Sequence, residues 1–318
     1  MYKIAKPVFL KVVTPLHAGS GQDLGIVDLP IQRERHTKFP KIESSSIKGC
    51  IRESFEDLEK ENKLEKYGVD DIISLVFGPE SGDVHASSIA FTDVRILLFP
   101  VKSVKGVYAY ITSPKVLERF KKDLEISKTL DGINKKHFFD KKRKLKELTV
   151  SNREKLCISE KVILEEYAFE VEFSKDTKEF AEWLSALLGI EEIKDKLVIL
   201  PDDVFGDFVN LSTEVITRIK INPETGTVEG SALFTEEYLP SETVMYFLCM
   251  ASPIFLKKDK KEKILKELMK NEKFSEEKFV MNFFEKNLPK IIQIGGNATI
   301  GKGISELKVW KTEGDKYE

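Results

Sequence analysis

Val8-Phe9-Leu10-Lys11-Val12-Val13 is the segment from which the fold class follows, because its side chains alternate between two faces. This period of two predicts a core β-strand, and Thr14-Pro15 marks its end. Beyond it, strand and helix patterns are mixed without strict β-α-β alternation, and no internal repeat is visible. The chain is therefore predicted to have an α+β fold.

The remaining patterns predict regular elements up to the end of the chain. A helix is predicted over 46–67, where apolar residues recur at helical spacing after the serines of 44–46, which are N-cap candidates. Another helix is predicted to start at Ser113-Pro114, whereas residues 125–156 are charged and predict a flexible insertion with few core residues. The other predicted helices cover 180–188, 201–211, 261–270 and 275–287, and the other strands cover 88–101, 106–112, 167–173, 197–200, 214–221, 227–234, 243–250 and 304–310.

The composition is typical of a globular protein. The 318 residues correspond to about two domains of roughly 150 residues, or to one large domain. Hydrophobic residues make up 41% and charged residues 33%, which provides enough apolar material for a sizeable core. No run approaches the roughly 20 apolar residues of a transmembrane helix, and we expect no signal peptide at the N-terminus and no membrane partner.

The cysteines and the charge distribution restrict the cellular compartment and the class of binding partner. Cys50, Cys157 and Cys249 form no CxxC pair, which favours a reduced cytoplasmic compartment over a zinc knuckle or a disulfide framework. The net charge of −2 argues weakly against nucleic-acid binding. However, residues 31–52 hold six cations and two anions, a local +4, and residues 135–146 hold seven cations and one anion, a local +6. Either segment could contact phosphates, although charge runs are usually solvated.

The first candidate site is the loop Gly25-Ile26-Val27-Asp28-Leu29-Pro30. A carboxylate between apolar residues on a glycine-hinged loop suits a metal ligand or a general base, and the alternative is an Asp that makes a local turn hydrogen bond. His17 starts the same long loop, as either a catalytic group or a packing residue.

Two further segments suit a phosphate group. Ser45-Ser46-Ile47-Lys48-Gly49-Cys50-Ile51-Arg52 places serines and two cations at a predicted helix N-terminus, where main-chain amides bind anions. The glycine-rich stretch 295–303 permits close approach of a phosphate chain, with Lys302 adding charge. The alternatives are an ordinary capped helix with a solvated basic face, and a loop that needs positive φ angles.

A predicted β-hairpin forms the fourth site. Its strands flank the turn-rich link Asn222-Pro223-Glu224-Thr225-Gly226. A protruding hairpin that carries Arg218 could wedge into a nucleic acid, and Glu236 or Tyr238 could assist acid–base chemistry. The alternative is a plain edge hairpin with a solvated acidic end.

Together these segments resemble the RAMP superfamily of CRISPR proteins, and within it the family of fourth subunits that repeat along the backbone of the type III-B Cmr complex. The resemblance covers nearly the whole chain except the 125–155 insertion. The segments that carry it are His17-Ala18-Gly19-Ser20-Gly21, the stretch from Gly25 to Arg35, Ser45-Ser46-Ile47-Lys48-Gly49, Gly82-Asp83-Val84-His85-Ala86-Ser87-Ser88, Leu211-Ser212-Thr213-Glu214-Val215, Tyr238-Leu239-Pro240-Ser241-Glu242-Thr243 and the terminal glycine-rich loop.

The resemblance implies one RAMP subunit over 1–318, with an RRM-like (ferredoxin-like) palm, helical fingers and a β-hairpin thumb. The palm would comprise 1–45, 85–124, 157–200 and 240–318, the fingers-type helix 46–67, and the thumb 211–236. Copies would stack head to tail on a CRISPR guide RNA beside other Cmr subunits, and each thumb would flip out a nucleotide of the guide–target duplex.

The resemblance also implies that Asp28 is the catalytic residue for cutting target RNA, with a divalent metal, Mg²⁺ or Mn²⁺, that Asp28 would hold. Positions matching His17, Glu236 and Tyr238 would be accessory catalytic groups. The residues expected to contact RNA are Ser45, Ser46, Lys48, Gly49, Arg52, Arg218, Gly295, Gly296, Asn297, Gly301 and Lys302.

Chemical reasoning agrees with this assignment. When base pairing with the guide RNA recognises the target sequence, the protein needs only to recognise the RNA backbone, the shape of the duplex and the 2′-OH groups. Metal positioning by Asp28 is favoured over direct base catalysis, since an ordinary Asp has a pKa near about 4. Two alternatives stay open: a purely structural RNA-binding filament subunit, and a metal-independent CRISPR repeat-processing nuclease that uses His17.

Overall fold

A computed structural model describes residues 1–23, 25–64, 71–80, 85–131, 137–140, 143, 145–222, 224–256, 261, 265 and 275–310. Two predictions therefore lie largely outside the described residues: the helix over 261–270, and five of the seven cations of the basic cluster 135–146. The helix predicted over 46–67 is too long, because it ends at Lys60 and Asn62 takes a positive φ of 57° that a helix cannot continue through.

The helices and strands alternate irregularly along the chain, as predicted. The helices are α1 Ser44–Lys60, α2 Ile72–Phe77, α3 Pro114–Asp131, α4 Arg153–Leu156, α5 Lys175–Leu188, α6 Ile193–Lys196, α7 Asp202–Leu211 and α8 Glu276–Asn287. The strands are β1 Ile4–Val12, β2 Lys41–Ile42, β3 Ile89–Phe91, β4 Val94–Ser103, β5 Val107–Thr112, β6 Thr149–Val150, β7 Cys157–Ile158, β8 Lys161–Leu164, β9 Tyr167–Glu170, β10 Glu172–Phe173, β11 Leu197–Ile199, β12 Glu214–Ile221, β13 Val228–Tyr238, β14 Val244–Ala251, β15 Ile291–Gln293 and β16 Ile304–Val309.

A mixed sheet organises the fold, with the strand order β10-β6-β11-β5-β4-β14-β1-β16-β15. β1 pairs antiparallel with β14 and with β16, and β11 pairs parallel with β5. The central position of β1 confirms the core strand predicted from the opening alternation. In the part of the chain that the structure describes, no helix combines the length and the apolar composition needed to cross a membrane.

Helices cover both faces of β1. On one face, the ring of Phe9 contacts Phe120 of α3 with centroids 6.0 Å apart. On the other face, Lys6 forms a buried ion pair with Glu285 of α8 at 2.6 Å. Because successive side chains of a strand point to opposite faces, this arrangement places β1 between two helical layers.

The start of α1 differs from the prediction. Ile47, Ile51 and Phe55 are its buried face, as the helical spacing predicts. However, the helix already begins at Ser44, so the serines occupy its first turn, and Glu43 precedes them without a side-chain capping bond. The predicted serine N-cap is therefore wrong. A cap residue lies just before the first helical residue, and that position is occupied by Glu43, while all three serines lie within the helix.

The predicted insertion 125–156 contributes to the core. α3 continues to Asp131, and buried Phe138 packs against Phe180 with ring centroids 5.1 Å apart. Leu156 of α4 is also buried. Among the described residues of this segment, the buried apolar side chains are Phe138, Val150 and Leu156, so core residues are few, as predicted, and charged residues separate them. The flexibility of the insertion stays a prediction.

The predicted hairpin is confirmed. β12 and β13 pair antiparallel in a sheet of their own, with a register shift between Ile219 and Ile221. β13 continues four residues beyond the predicted strand end and stops at Tyr238. As a result, Glu236 and Tyr238 belong to the strand itself, and their side chains point to the same face of it.

Candidate active site

Asp28 lies on an exposed loop that is fixed to β13. Its Oδ2 accepts hydrogen bonds from the main-chain N–H of Thr235 at 2.7 Å and from the Thr235 hydroxyl at 2.8 Å. The same hydroxyl accepts a hydrogen bond from the Asp28 main-chain N–H at 3.0 Å. The bonds from Thr235 lower the pKa of Asp28, so its carboxylate is ionised at neutral pH. The predicted reactive carboxylate is therefore exposed, charged and held in one place.

The rest of this loop runs along the edge of β13. The N–H of Leu29 donates to the carbonyl of Thr235 and its carbonyl accepts from the N–H of Glu237, both at 3.0 Å. The buried Glu237 carboxylate accepts a hydrogen bond from the Ile31 N–H at 3.0 Å and pairs with Arg33 at 2.5 Å. These contacts attach the loop to the hairpin.

His17, Glu236 and Tyr238 are buried on the opposite side of β13, with only 8%, 4% and 1% of their surface exposed. The Tyr238 hydroxyl donates to Glu236 Oε2 at 2.6 Å, and His17 Nε2 lies 3.5 Å from Glu236 Oε1. His17 Nδ1 donates to the main-chain carbonyl of Glu237 at 2.7 Å, because a carbonyl oxygen can only accept. The structure therefore brings the three predicted accessory groups together, away from solvent.

Arg218 and Asn297 complete this cluster. Arg218 Nη1 donates to Glu236 Oε2 at 2.9 Å and to Asn297 Oδ1 at 2.8 Å. Asn297 Nδ2 donates to Glu236 Oε1 at 2.7 Å, and Lys302 Nζ lies 4.8 Å from the centre of the Tyr238 ring. Three residues predicted to contact RNA thus have protein partners. We call the cluster the buried network, which comprises His17, Arg218, Glu236, Tyr238 and Asn297.

Hydrogen bonds set the charge states in the buried network. Burial alone would raise the pKa of Glu236, but hydrogen bonds from Tyr238 and Asn297 outweigh it and lower the pKa. Burial and the bond to Glu236 raise the pKa of Tyr238 to about 12. At neutral pH Glu236 is therefore ionised and Tyr238 protonated, whereas an efficient acid–base catalyst has a pKa near the working pH.

The glycine-rich segment packs against the start of the long loop. Gly295 has a φ of +80°, and a Cβ there would lie 2.2 Å from the carbonyl oxygen of His17. At Gly303, whose φ is +76°, a Cβ would lie 2.0 Å from another main-chain oxygen. Gly301, with φ +74°, borders open space instead. The need for positive φ and close packing therefore explains Gly295 and Gly303 without any ligand.

The first turns of α1 adjoin this segment. The Cys50 thiol has a hydrogen bond with the Gly295 main chain, while burial raises its pKa. Lys48 is half-buried, and burial and nearby Arg52 lower its pKa. Among the described contacts Lys48 has neither a hydrogen bond nor an ion pair. Arg52 is engaged with Glu56 at 2.7 Å and with a main-chain carbonyl at 2.8 Å. Of these two predicted phosphate ligands, Lys48 is the available one.

The remaining predicted RNA-binding positions are mostly accessible. The Ser44 N–H donates to the Asp93 carboxylate at 3.0 Å and the Ile47 N–H donates to the Glu43 carbonyl at 3.1 Å, which leaves the amides of Ser45 and Ser46 as the first-turn donors that suit an anion. The positions that are exposed are Ser45, Gly49, Gly295, Gly296 and Gly301, and those that are partly exposed are Ser46, Lys48, Arg52, Arg218, Asn297 and Lys302.

The local charge of +4 over residues 31–52 does not form one basic surface. Half of its cations lie beside carboxylates that are distant in sequence or on the same helix. These pairs are Arg33 with Glu237, Lys41 with Asp93 and Arg52 with Glu56. Arg35 and Lys38 are exposed. The basic character of this segment is therefore partly used to hold the fold together.

The ligands available at this site suit a metal ion that is bound partly by the protein and partly by the substrate. Within the described residues, no three His, Cys, Asp or Glu side chains gather into a metal site. Mg²⁺ is commonly bound through one or two carboxylates together with phosphates and waters. Asp28, as a single exposed and ionised carboxylate, fits that arrangement but not a cage made of protein ligands alone.

Thr235, Glu237 and Arg33 are the residues of this site that sequence reasoning missed. The sequence did contain a signal for Thr235 and Glu237. Successive side chains of a strand point to opposite faces, so these two residues must share the face opposite to that of Glu236 and Tyr238. The pairing of the odd positions with the Asp28 loop was not visible, because it joins segments that are about 200 residues apart.

Comparisons with known proteins agree with the resemblance. The family model of the RAMP superfamily matches residues 9–306. The CRISPR system Cmr endoribonuclease Cmr4 of Pyrococcus furiosus is 42% identical over 313 residues, which cover 94% of each chain. The crystal structure of oligomeric Cmr4 from Pyrococcus furiosus superposes with a TM-score of 0.66 at 34% identity, over 97% of this chain and 100% of that one. A chain of the type III-B Cmr-beta cryo-EM structure bound to cognate target RNA shares the fold, with a TM-score of 0.70 at 23% identity over 97% and 98% of the two chains.

Proposed function

Because the chain belongs to the RAMP superfamily, and within it to the Cmr4 family, we propose that it is a guide-RNA-binding backbone subunit of a type III-B CRISPR effector complex that also cleaves target RNA. Its partners would be guide RNA, target RNA, further copies of itself head to tail, and other Cmr subunits. The observation that carries the enzymatic part is the exposed, ionised and anchored Asp28 carboxylate.

The proposed architecture assigns a role to each part of the fold. The main sheet would be the RRM-like palm, α1 the start of the fingers, and the hairpin of β12 and β13 the thumb. The separate two-stranded sheet of the hairpin supports the thumb assignment. We propose that guide RNA lies over the first turn of α1, Lys48 and the exposed part of the glycine-rich segment, where the amides of Ser45 and Ser46 and the ammonium group of Lys48 suit a phosphate backbone.

The proposed reaction is attack of a target 2′-OH on its adjacent phosphate. The bond from O2′ to phosphorus forms and the bond from phosphorus to O5′ breaks, while solvent water takes the 2′-OH proton and supplies one to the departing O5′, which leaves a 2′,3′-cyclic phosphate and a 5′-OH end. A flipped nucleotide permits the in-line geometry that this attack needs. A bound Mg²⁺ or Mn²⁺ would supply charge stabilisation at the phosphate. Asp28 would hold that ion and orient the reacting sugar, since its lowered pKa makes it a poor proton acceptor.

The buried network argues against the His17-dependent alternative. Both ring nitrogens of His17 face protein atoms, and only 8% of the residue is exposed. A general base for repeat processing would need to reach an RNA hydroxyl directly or through one water. The alternative of a purely structural subunit is separated from the proposal by experiment.

The test is cleavage of labelled target RNA by the reconstituted complex. We expect Asp28→Asn to lower the cleavage rate at least about 100-fold while target binding is retained, because the isosteric amide keeps the contact with Thr235 but loses the charge. Asp23→Asn, which makes the same change on the same loop, is the control and should cut normally. EDTA should stop the wild-type reaction. A wild-type complex that binds target but cuts nothing would establish the structural alternative instead.

A further inference from the structure

We propose that Thr235 is a positioning residue for Asp28, so that the hairpin carries the catalytic carboxylate with it. This inference rests on the proposed function and deepens it. It assigns to β13 a role in positioning the carboxylate, through a residue other than Glu236 and Tyr238, which the resemblance implied as accessory groups.

The contact between the two residues needs a hydroxyl. The Thr235 hydroxyl donates to Asp28 Oδ2 at 2.8 Å and accepts from the Asp28 main-chain N–H at 3.0 Å. Only a side chain that donates and accepts at once can make both bonds. Valine has the same shape but can make neither, whereas serine can make both. The main-chain N–H of Thr235 adds a third bond at 2.7 Å that no side-chain substitution removes.

A second attachment makes the loop and the hairpin one unit. Leu29 bonds through both main-chain groups to β13, and the Glu237 carboxylate holds Arg33. On the other side of Asp28, Ile26 is 99% exposed, so it adds little support by packing. Movement of the hairpin would therefore move Asp28, and the orientation of its carboxylate depends on Thr235.

Orientation at this level matters for rate. A displacement of a reacting group by about 1 Å can cost about 100-fold in rate, because the attack needs a near-linear geometry. The nearby ion pairs involve other carboxylates: Arg218 of β12 bonds Glu236 of β13 across the hairpin, and Arg33 bonds Glu237. The Asp28 carboxylate takes hydrogen bonds from the main chain and the hydroxyl of Thr235, so a change of that side chain alters its orientation.

The experiment compares Thr235→Val, Thr235→Ser and Thr217→Val in the reconstituted complex. Thr217 lies directly opposite Thr235 in the hairpin, which makes it a matched control. We expect Thr235→Val to lower the cleavage rate at saturating target about tenfold with unchanged target affinity. Thr235→Ser should restore the rate, and Thr217→Val should behave as wild type.

Three results would overturn the inference: wild-type cleavage rate in Thr235→Val, an equal loss in Thr217→Val, or no rescue by serine. A separate readout uses the free protein. The Asp28 main-chain N–H donates to the Thr235 hydroxyl at 3.0 Å, so its exchange with solvent, followed by NMR, should be faster in Thr235→Val and normal in Thr235→Ser. If Asp28→Asn still cut target RNA, the proposed enzymatic function would fail, while this exchange measurement would still show whether Thr235 holds the Asp28 loop.

Discussion

The two faces of β13 hold two carboxylates in opposite ways. On one face, Thr235 and Glu237 hold the loop that presents Asp28 to solvent. On the other face, Glu236 is only 4% exposed and is bonded to Tyr238, Arg218 and Asn297. A carboxylate is stable in the protein interior only when hydrogen bonds or ion pairs compensate for the lost water. Such a carboxylate cannot bind a substrate without breaking those bonds.

The difference separates a carboxylate that a ligand can reach from one that serves the packing of the chain. Asp28 is fixed through one of its oxygens and stays accessible, whereas Glu236 joins the long loop, the hairpin and the glycine-rich segment into one structure. We therefore expect changes on the Asp28 face to alter cleavage and changes on the Glu236 face to alter stability. The following predictions test this separation.

Gly295→Ala should have the largest effect on stability. A Cβ would lie 2.2 Å from the His17 carbonyl oxygen at a φ of +80°, so the glycine-rich segment would have to move away from the buried network. We expect a loss of about 4 kcal/mol or more in the free energy of unfolding, measured with urea. Gly301→Ala has a similar φ but open space around it, so it should cost only about 1 kcal/mol. Equal losses in both variants would mean that the packing against His17 is not tight.

Glu236→Ala should be the next most destabilising change. It would leave Arg218, Tyr238 and Asn297 without their shared acceptor, at a cost of about 3 kcal/mol in the free energy of unfolding. Asp28→Ala should leave the thermal midpoint unchanged and abolish cleavage. If Glu236→Ala kept wild-type stability but lost activity, Glu236 would belong to the chemistry and the separation of the two faces would be wrong.

Arg33→Lys should weaken the attachment of the Asp28 loop. The guanidinium bonds Glu237 together with the carbonyl of Val209 and the side chain of Asn210, both of them within 3.0 Å. Lysine keeps the charge but loses this planar fork, so we expect a loss of about 2 kcal/mol and slower cleavage. The control, Arg35→Lys, changes an exposed residue of the same segment and should do neither. Unchanged cleavage in a destabilised Arg33→Lys protein would show that Asp28 does not depend on this anchor.

The smallest expected effect is a pH dependence of the free energy of unfolding that arises from Glu236. The folded pKa of Glu236 is lowered, so its ionised form stabilises the protein above the unfolded pKa of about 4.3, and this contribution is lost as the pH falls through the folded pKa. Glu236→Gln should therefore be about 1–2 kcal/mol less stable than wild type at pH 7, with the gap narrowing below about pH 4. Denaturation curves across that range measure it. A gap that stayed constant with pH would contradict the assigned charge state.

Much of the local structure could be predicted from the sequence. The alternation in β1, the helical spacing of Ile47, Ile51 and Phe55, and the turn-rich link of the hairpin each depend on residues within one element. Boundaries were less predictable, since the serines proposed as caps lie inside α1. The core anchor Phe138 was hidden among charges, because its burial is set by α5 and not by its sequence neighbours.

By itself the sequence determined the α+β class, the family resemblance, and the choice of Asp28, His17, Glu236 and Tyr238 as the residues to consider. Only the tertiary structure decided that Asp28 is exposed and the other three are buried. The physical reason is distance along the chain: Thr235 is 207 residues from Asp28, and His17 is 220 residues from the Glu237 carbonyl it bonds. Local patterns record which face a side chain takes, whereas the partner on that face exists only after distant segments have packed together.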